Sequence, residues 1–314
     1  MKIEVFAPAS IGNVSIGFDV LGLAVQPVDG TLLGDVVTIE GASENKLSVV
    51  GEFASKLPAE PEQNIVWHCL NLFNSYMEKR AFQPMPVHLT LDKKMPVGSG
   101  LGSSACSVVA ALVALNVFYK KPFDDESLLK MMGEMEAQIS GSLHYDNVAP
   151  CFLGGLQLML PTANKVTTTL PSFDDHFYIM AYPGIEVSTK AAREVLPDSY
   201  SRAQAIEYGQ ILASFVDACY RKDEEQAFAI FEDVIAEPYR KHLLPGFEQA
   251  RDYLMAQGGL AVGISGSGPT LFCICKNEQT ANELACWLKE NYLKTPLGFV
   301  HVCKADTNGA RVLN

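Results

Sequence analysis

Apolar positions at helical spacing are interleaved along this chain with short apolar runs, and together they predict a mixed architecture of helices and strands. From Asn64 to Arg80, Val66, Leu70, Phe73 and Met77 share one face, with Asn64 as the N-cap. A second amphipathic helix starts at Asp124 or Asp125 and runs to about Gly141. Between them, Ala105 to Phe118 is almost wholly apolar; it is too short to span a bilayer and fits a buried helix. Strands are expected at residues 2–7, along Val87, Leu89 and Leu91, at Leu156–Leu160, Phe177–Tyr182 and Phe299–Cys303, and on both sides of SGSGP within Gly258–Lys276. Later helices are expected around Arg193, at Arg202–Arg221 with Ile206, Leu212, Phe215, Val216 and Cys219 facing inward, at Glu224–Glu237 with Pro238 as its stop, and at Glu278–Leu293. Residues 164–171 have the composition of a connection, which divides the chain into 1–163 and 164–314, and the closing ADTNGARVLN carries no pattern.

Three places depart from simple patterning. The stretch PVGSGLGSSAC, Pro96 to Cys106, joins a strand to the buried helix through Gly98, Gly100 and Gly102. Such a loop suits a phosphate chain approached by backbone N–H groups at a helix start, and it suits equally a plain turn. It is neither a GxxxxGK[ST] loop nor GxGxxG, because Ser103 stands where the last glycine would be, but the paired hydroxyls of Ser103 and Ser104 can serve phosphate or a divalent cation. On the second helix, Leu128, Leu129, Met132, Met135 and Ile139 form an apolar arc at about 100° per residue. Glu136 falls inside that arc and Glu134 outside it. A carboxylate on a core face needs a compensating partner, so Glu136 reads as a metal ligand or catalytic group, with an edge residue reaching solvent as the alternative. Third, polar residues crowd two loops: PASIGNVSIGFD from Pro8, with Asn13 and Asp19, and SGSLHYDN from Ser140, with His144, Asp146 and Asn147. Each also reads as ordinary turn chemistry, and Arg193 and Arg240 each read singly as surface residues.

Composition narrows the classes. With 24 basic and 36 acidic residues the net charge is −12 and the pI near 5.0, which argues against a nucleic-acid surface. Glu4 and Pro8 interrupt the N-terminus where a signal peptide would be apolar, so a cytoplasmic protein with no membrane partner is expected. The eight cysteines are dispersed without a CxxC pair, and Cys273 and Cys275 on one side of a strand suit packed thiols better than a zinc site. At 314 residues, two domains with a cleft between them are the default.

The three glycine-bearing motifs, PASIGNVSIGFD, PVGSGLGSSAC and GISGSGPTLF, together with GFDVLG, HYDNVAPCFLGG, PGIEVSTKAAR and EPYRKHLLPGF, resemble the signatures of the GHMP small-molecule kinases over essentially the full length, and among them the homoserine-phosphorylating branch. The first motif has Ser10 and Asn13 in a PASxxN context and lacks the lysine of mevalonate-type members. The resemblance implies an α+β, two-domain GHMP kinase fold, with an S5-like N-terminal domain, a ferredoxin-like C-terminal domain and ATP in the cleft. It implies that Pro96, Val97, Gly98, Ser99, Gly100, Leu101, Gly102, Ser103, Ser104, Ala105 and Cys106 wrap the triphosphate, and that Ser104 and Glu136 hold Mg2+. By the same likeness Asn13, Asp19, His144, Asp146, Arg193 and Arg240 surround L-homoserine, the arginines taking its carboxylate and Asp146 its ammonium. Asp19 is expected to orient the acceptor hydroxyl, which leaves the identity of any base open. Threonine, which shares the acceptor's head group, is expected to compete for the arginine site, and a homodimer is implied by family habit alone.

Overall fold

β1 (Lys2–Gly12) is an eleven-residue strand that ties together two parts of the sheet. In the computed structural model, which describes residues 2–141, 143–162 and 164–313 and leaves the side chains of residues 139 and 140 outside that description, β1 changes partners along its length. Lys2 to Pro8 pair with β3 (Gly34–Gly41), whereas Ala9 to Gly12 pair with β2 (Leu21–Pro27). The first motif was expected to be loop from Pro8 onward; its PASIG half is strand instead, because a fully buried strand shows no alternation to read.

The remaining elements follow in chain order: β4 (Lys46–Val50), α1 (Ile65–Lys79), β5 (Val87–Asp92), α2 (Ser103–Phe118), α3 (Asp125–Ser140), α4 (Val148–Leu153), β6 (Leu156–Met159), β7 (Thr167–Leu170), β8 (Phe177–Tyr182), α5 (Thr189–Glu194), α6 (Arg202–Arg221), α7 (Glu224–Ala229), α8 (Glu237–Arg240), α9 (Phe247–Ala256), β9 (Ala261–Ile264), β10 (Leu271–Cys275), α10 (Glu278–Asn291), β11 (Phe299–Ala305) and β12 (Arg311–Val312). One sheet runs β4-β5-β3-β1-β2-β11-β8-β10-β9, so β11 from the second half pairs directly with β2 from the first. The tail expected to be featureless supplies β12, which pairs Val312 with Val5. Likewise β6 and β7 pair across the expected boundary at 163/164, so the connection proposed at 164–171 contains a strand; Ala163 itself lies outside the described residues.

α2 is the centre of the first half. All of its residues except Ser104 and Val117 are buried, as expected for a helix apolar on every side, and it lies between β1 and β3 below and α1, α3 and α4 around it. Asn64 caps α1 by accepting from Val66 N–H at 2.9 Å. On α3, Leu128, Leu129, Met132 and Met135 are buried and Glu134 is exposed, as the arc predicts; the Ile139 side chain lies outside the described residues. In the second half, α9 and α10 pack over β8, β9 and β10 around Phe247, Leu254, Leu284 and Leu288.

Two helix expectations change. The helix foreseen over Glu224–Glu237 ends at Ala229, because Asp233 accepts from the N–H groups of Ile235, Ala236 and Glu237 and folds a separate turn ahead of α8. Pro238 therefore opens α8 rather than stopping a helix, the position where its missing N–H does no harm. Ile206, foreseen facing inward, is 54% exposed. All eight cysteines are free thiols, and among the described residues no helix is long and apolar enough to cross a membrane.

Candidate active site

The glycine loop between β5 and α2 is held from three sides. Gly100 has φ +78°, and a Cβ there would lie 2.4 Å from Ser265 O and 2.7 Å from Gly268 O, so the β9–β10 turn packs on bare backbone. That turn also binds the loop: Ser265 Oγ donates to Gly100 O at 2.7 Å, and Thr270 Oγ1 donates to Ser99 O at 2.7 Å. The third motif thus braces the second directly. From below, Ser10 N–H donates to Leu101 O, and on the outer side Val187 N–H donates to Gly98 O. Gly102, at φ +67°, caps α2 without a side-chain bond and leaves the first-turn N–H groups of that helix to whatever enters.

Under the loop lies a polar network that sequence reasoning missed. Lys93, 2% exposed, donates from Nζ to Asp35 Oδ2 at 2.5 Å, Ser103 O at 2.7 Å and Ser107 Oγ at 3.0 Å. Asp35, 0% exposed, also accepts from the N–H groups of Lys94 and Met95, both at 3.0 Å, and from Ser107 Oγ at 2.6 Å. A signal for Lys93 exists in retrospect, since it continues the buried parity of Val87, Leu89 and Leu91 on β5. Together the two charges tie the end of β5 to the first turn of α2.

A cleft of about 520 Å³ opens above this loop. Its lining includes Val97, Gly98, Ser99, Gly100, Gly102, Ser103 and Ser104 from the loop, and Asn13, Asp19, Glu136, His144, Asp146, Arg193 and Arg240 from five other segments. Pro96, Leu101, Ala105 and Cys106 do not line it: they are buried behind the loop, with Cys106 Sγ against Pro8 O at 3.3 Å. Those positions face the core because the loop turns its backbone, not every side chain, to the cleft.

Ser104 Oγ donates to Glu136 Oε2 at 3.0 Å, so the inward carboxylate of α3 and the hydroxyl at the start of α2 form one oxygen pair. Burial pushes the Glu136 carboxyl up to about 7, against the lowering effects of Ser104 and of the Lys93 charge. At one end of the cleft are Leu57, Pro58, Gln63, Asn64 and Ile65, an apolar wall with amide groups. Asn64 Nδ2 in that wall and Ser99 Oγ in the glycine loop are buried without a hydrogen-bond partner among the described residues, which leaves donors for an incoming ligand.

The other end is charged. Asn13, Val14 and Ser15 have φ of 68°, 47° and 56°, a left-handed run of non-glycine residues, and Asp19 has φ 58°. Backbone of this kind costs about 1–3 kcal/mol per residue, and here it turns Val14 and Ile16 into the core while Asn13 and Asp19 face the cleft. Asn13 Oδ1 accepts from Asp19 N–H at 2.8 Å, and Asn13 Nδ2 donates to Gly266 O at 3.2 Å. Asp19 receives Arg193 bidentately, Nη2 to Oδ1 at 2.7 Å and Nη1 to Oδ2 at 3.2 Å, with His144 Nδ1 at 3.4 Å from Oδ2. Asp146, beside them, is pushed up to about 7 by burial and then by the Asp19 charge. His144 is lowered by burial, against the raising effect of the Asp19 charge.

Arg240 is 3% exposed and donates to two backbone carbonyls, Nε to Ala192 O at 2.8 Å and Nη1 to Gly266 O at 3.2 Å. Among the described residues it forms no ion pair within 4.0 Å. Arg193 and Arg240 share the ring of Phe18, at 5.6 and 5.2 Å from its centroid, and Tyr208 donates to Phe18 O at 3.2 Å. Phe18 and Tyr208 were absent from the sequence-based site. The arrangement provides a glycine loop suited to phosphate, an oxygen pair suited to a hard cation, and a charged recess fit for a small zwitterion.

Comparison with known proteins agrees with this geometry. The family model "GHMP kinases N terminal domain" matches residues 64–155, and "GHMP kinases C terminal" matches residues 215–294. The structure of homoserine kinase from Cytophaga hutchinsonii ATCC 33406 is 31% identical, with 99% of this chain and 97% of that one covered and a TM-score of 0.90. Two others share the fold: mevalonate kinase of Methanococcus jannaschii, at 15% identity, 97% and 98% coverage and TM-score 0.71, and phosphomevalonate kinase of Streptococcus pneumoniae, at 14%, 100% and 98%, and 0.71.

Proposed function

The chain belongs to the GHMP kinases, with their two-domain α+β fold, and from that premise we propose that it transfers the γ-phosphoryl group of ATP to the side-chain hydroxyl of L-homoserine, giving O-phospho-L-homoserine. The observation that carries the acceptor is Arg240: a buried guanidinium with no ion pair among the described residues is costly unless an anion arrives to join it. Next to it stand Arg193 and two carboxylates, Asp19 and Asp146, so the recess can take a carboxylate on its cationic side and an ammonium on its anionic side. Mevalonate and galactose lack the ammonium, and galactose lacks the carboxylate too. The 31% identical homoserine kinase supports the same choice.

The rest of the cleft suits the donor. The apolar wall at Leu57, Pro58 and Ile65 suits a base, with Asn64 Nδ2 as a donor to it, and the glycine loop suits the phosphates. Ser104 and Glu136 are hard oxygen donors about one hydrogen bond apart, and they fit Mg2+, which neutralises phosphate charge when bound. Transfer to an alcohol passes through a loose transition state with charge on the phosphate oxygens, so the chain's work is positioning and electrostatics. Asp19 and Asn13 orient the hydroxyl; Asp146, Arg193 and Arg240 fix the amino-acid head group. Threonine carries the same head group and competes for that recess.

The test is ADP release with homoserine, mevalonate, galactose and shikimate as acceptors. Turnover with homoserine at least about a hundredfold above galactose, which lacks both charged groups, is expected from two or three charged contacts at roughly 1.5–3 kcal/mol each, and at least about tenfold above mevalonate and shikimate, which lack the ammonium. Equal turnover with an acceptor that lacks the amino-acid head group would sink the assignment.

A further inference from the structure

The acceptor recess contains a contradiction that points to a selection device. Arg193, one of the two cations facing the acceptor, gives both terminal nitrogens to Asp19, at 2.7 and 3.2 Å. Both oxygens of Asp19 are engaged by this fork, and His144 lies 3.4 Å from one of them. In this arrangement both oxygens of Asp19 are turned to Arg193 and His144, so its charge is already shared before an acceptor hydroxyl arrives. Arg240 differs: it is anchored to the carbonyls of Ala192 and Gly266 and, among the described residues, has no ion pair of its own. Both guanidiniums lie over the ring of Phe18 and the Arg193 charge acts on Arg240, so an anion seated on Arg240 also feels Arg193.

We propose that the Asp19–Arg193 ion pair is a latch that the acceptor's own carboxylate opens. The inference rests on the phosphotransfer assigned above. The carboxylate docks on Arg240, takes over the Arg193 fork, and frees Asp19 to accept the hydroxyl's hydrogen bond. The hydroxyl oxygen then forms its bond to the γ-phosphorus while the bond from that phosphorus to the β–γ bridging oxygen breaks. ADP keeps the electron pair, and the hydroxyl proton leaves through Asp19 to solvent. An alcohol without a carboxylate leaves the latch closed, so acceptor choice is enforced by release of Asp19 as well as by affinity. Exchange of one carboxylate for another on the same fork is near-balanced in charge, which lets a small acceptor drive it.

The experiment uses the full-length enzyme with Mg-ATP and 3-amino-1-propanol, an acceptor that has the hydroxyl and ammonium of homoserine but no carboxylate. Added acetate or propionate is expected to raise its phosphorylation by roughly tenfold or more, the size of one charge-assisted contact. In Arg193→Met the latch is absent, so aminopropanol turnover rises without acetate and acetate no longer stimulates it; Arg193→Lys, which keeps the charge but loses the fork, gives part of that release. Binding of a fluorescent ATP analogue checks that each variant is folded. Should a variant fail that check, the acetate arm on the unchanged enzyme decides alone. No stimulation by either carboxylate, or stimulation of Arg193→Met equal to that of the unchanged enzyme, overturns the latch. Homoserine turnover by the unchanged enzyme in the same assay reports on the phosphotransfer assignment separately.

Discussion

Replacing Lys93 by Met tests whether the buried charges under the glycine loop hold its two ends together. The substitution keeps most of the side-chain volume but removes three hydrogen bonds from an ammonium that is 2% exposed. Asp35 is left buried with three neutral donors, the N–H groups of Lys94 and Met95 and the Ser107 hydroxyl. Removing one partner of a buried pair costs about 3–5 kcal/mol, and the surviving donors put the expected loss near the lower limit, about 3 kcal/mol. For a chain of this size each kcal/mol corresponds to roughly 2–4 °C, so Tm should fall by about 6–12 °C in differential scanning calorimetry. Lys93→Met/Asp35→Asn should lose less than the sum of the singles, with a coupling of about 1–3 kcal/mol by urea denaturation. Because Lys93 grips Ser103 O, KM for ATP should rise more than KM for the acceptor. A Tm within about 2 °C of the unchanged protein, or strictly additive losses in the double variant, would refute the reasoning.

Two further outcomes follow from the site. Glu136 and Asp146 are both raised to about 7, so between the ordinary carboxylate range and that value the folded chain holds protons that the unfolded chain has released. Metal-free stability therefore falls as pH rises from about 5 to about 7, and Glu136→Gln should flatten that slope while weakening Mg2+-dependent turnover; an unchanged slope in thermal unfolding across pH would count against the buried carboxylate. Gly100→Ala places a methyl group 2.4 Å from Ser265 O at a φ of +78°, so ATP binding by isothermal calorimetry should be lost or reduced by at least about tenfold; unaltered affinity would mean the brace is dispensable.

Local signals carried far in this chain. The cap at Asn64, the apolar faces of α1 and α3, and the all-apolar run of α2 are written in contiguous residues, because helix periodicity and capping act within a few positions. The same periodicity exposed Glu136 as a carboxylate on the wrong face, and its contact with Ser104 at 3.0 Å is the structural counterpart. Glycine motifs marked three of the segments that meet at the cleft.

What tertiary structure alone decided is everything that depends on register and on partners far apart in sequence. β2, β3 and β4 were silent, and β12 emerged from a tail without pattern, because strands acquire their neighbours from the sheet and not from their own residues. Asp19 meets Arg193 across 174 positions and Lys93 meets Asp35 across 58. Residue types could nominate these charges as candidates; only the folded sheet, which brings β1, β5 and the α5 segment around one cleft, determines which opposite charge each one faces. That difference separates an inventory of acceptor-binding groups from a recess in which one arginine is held and the other waits.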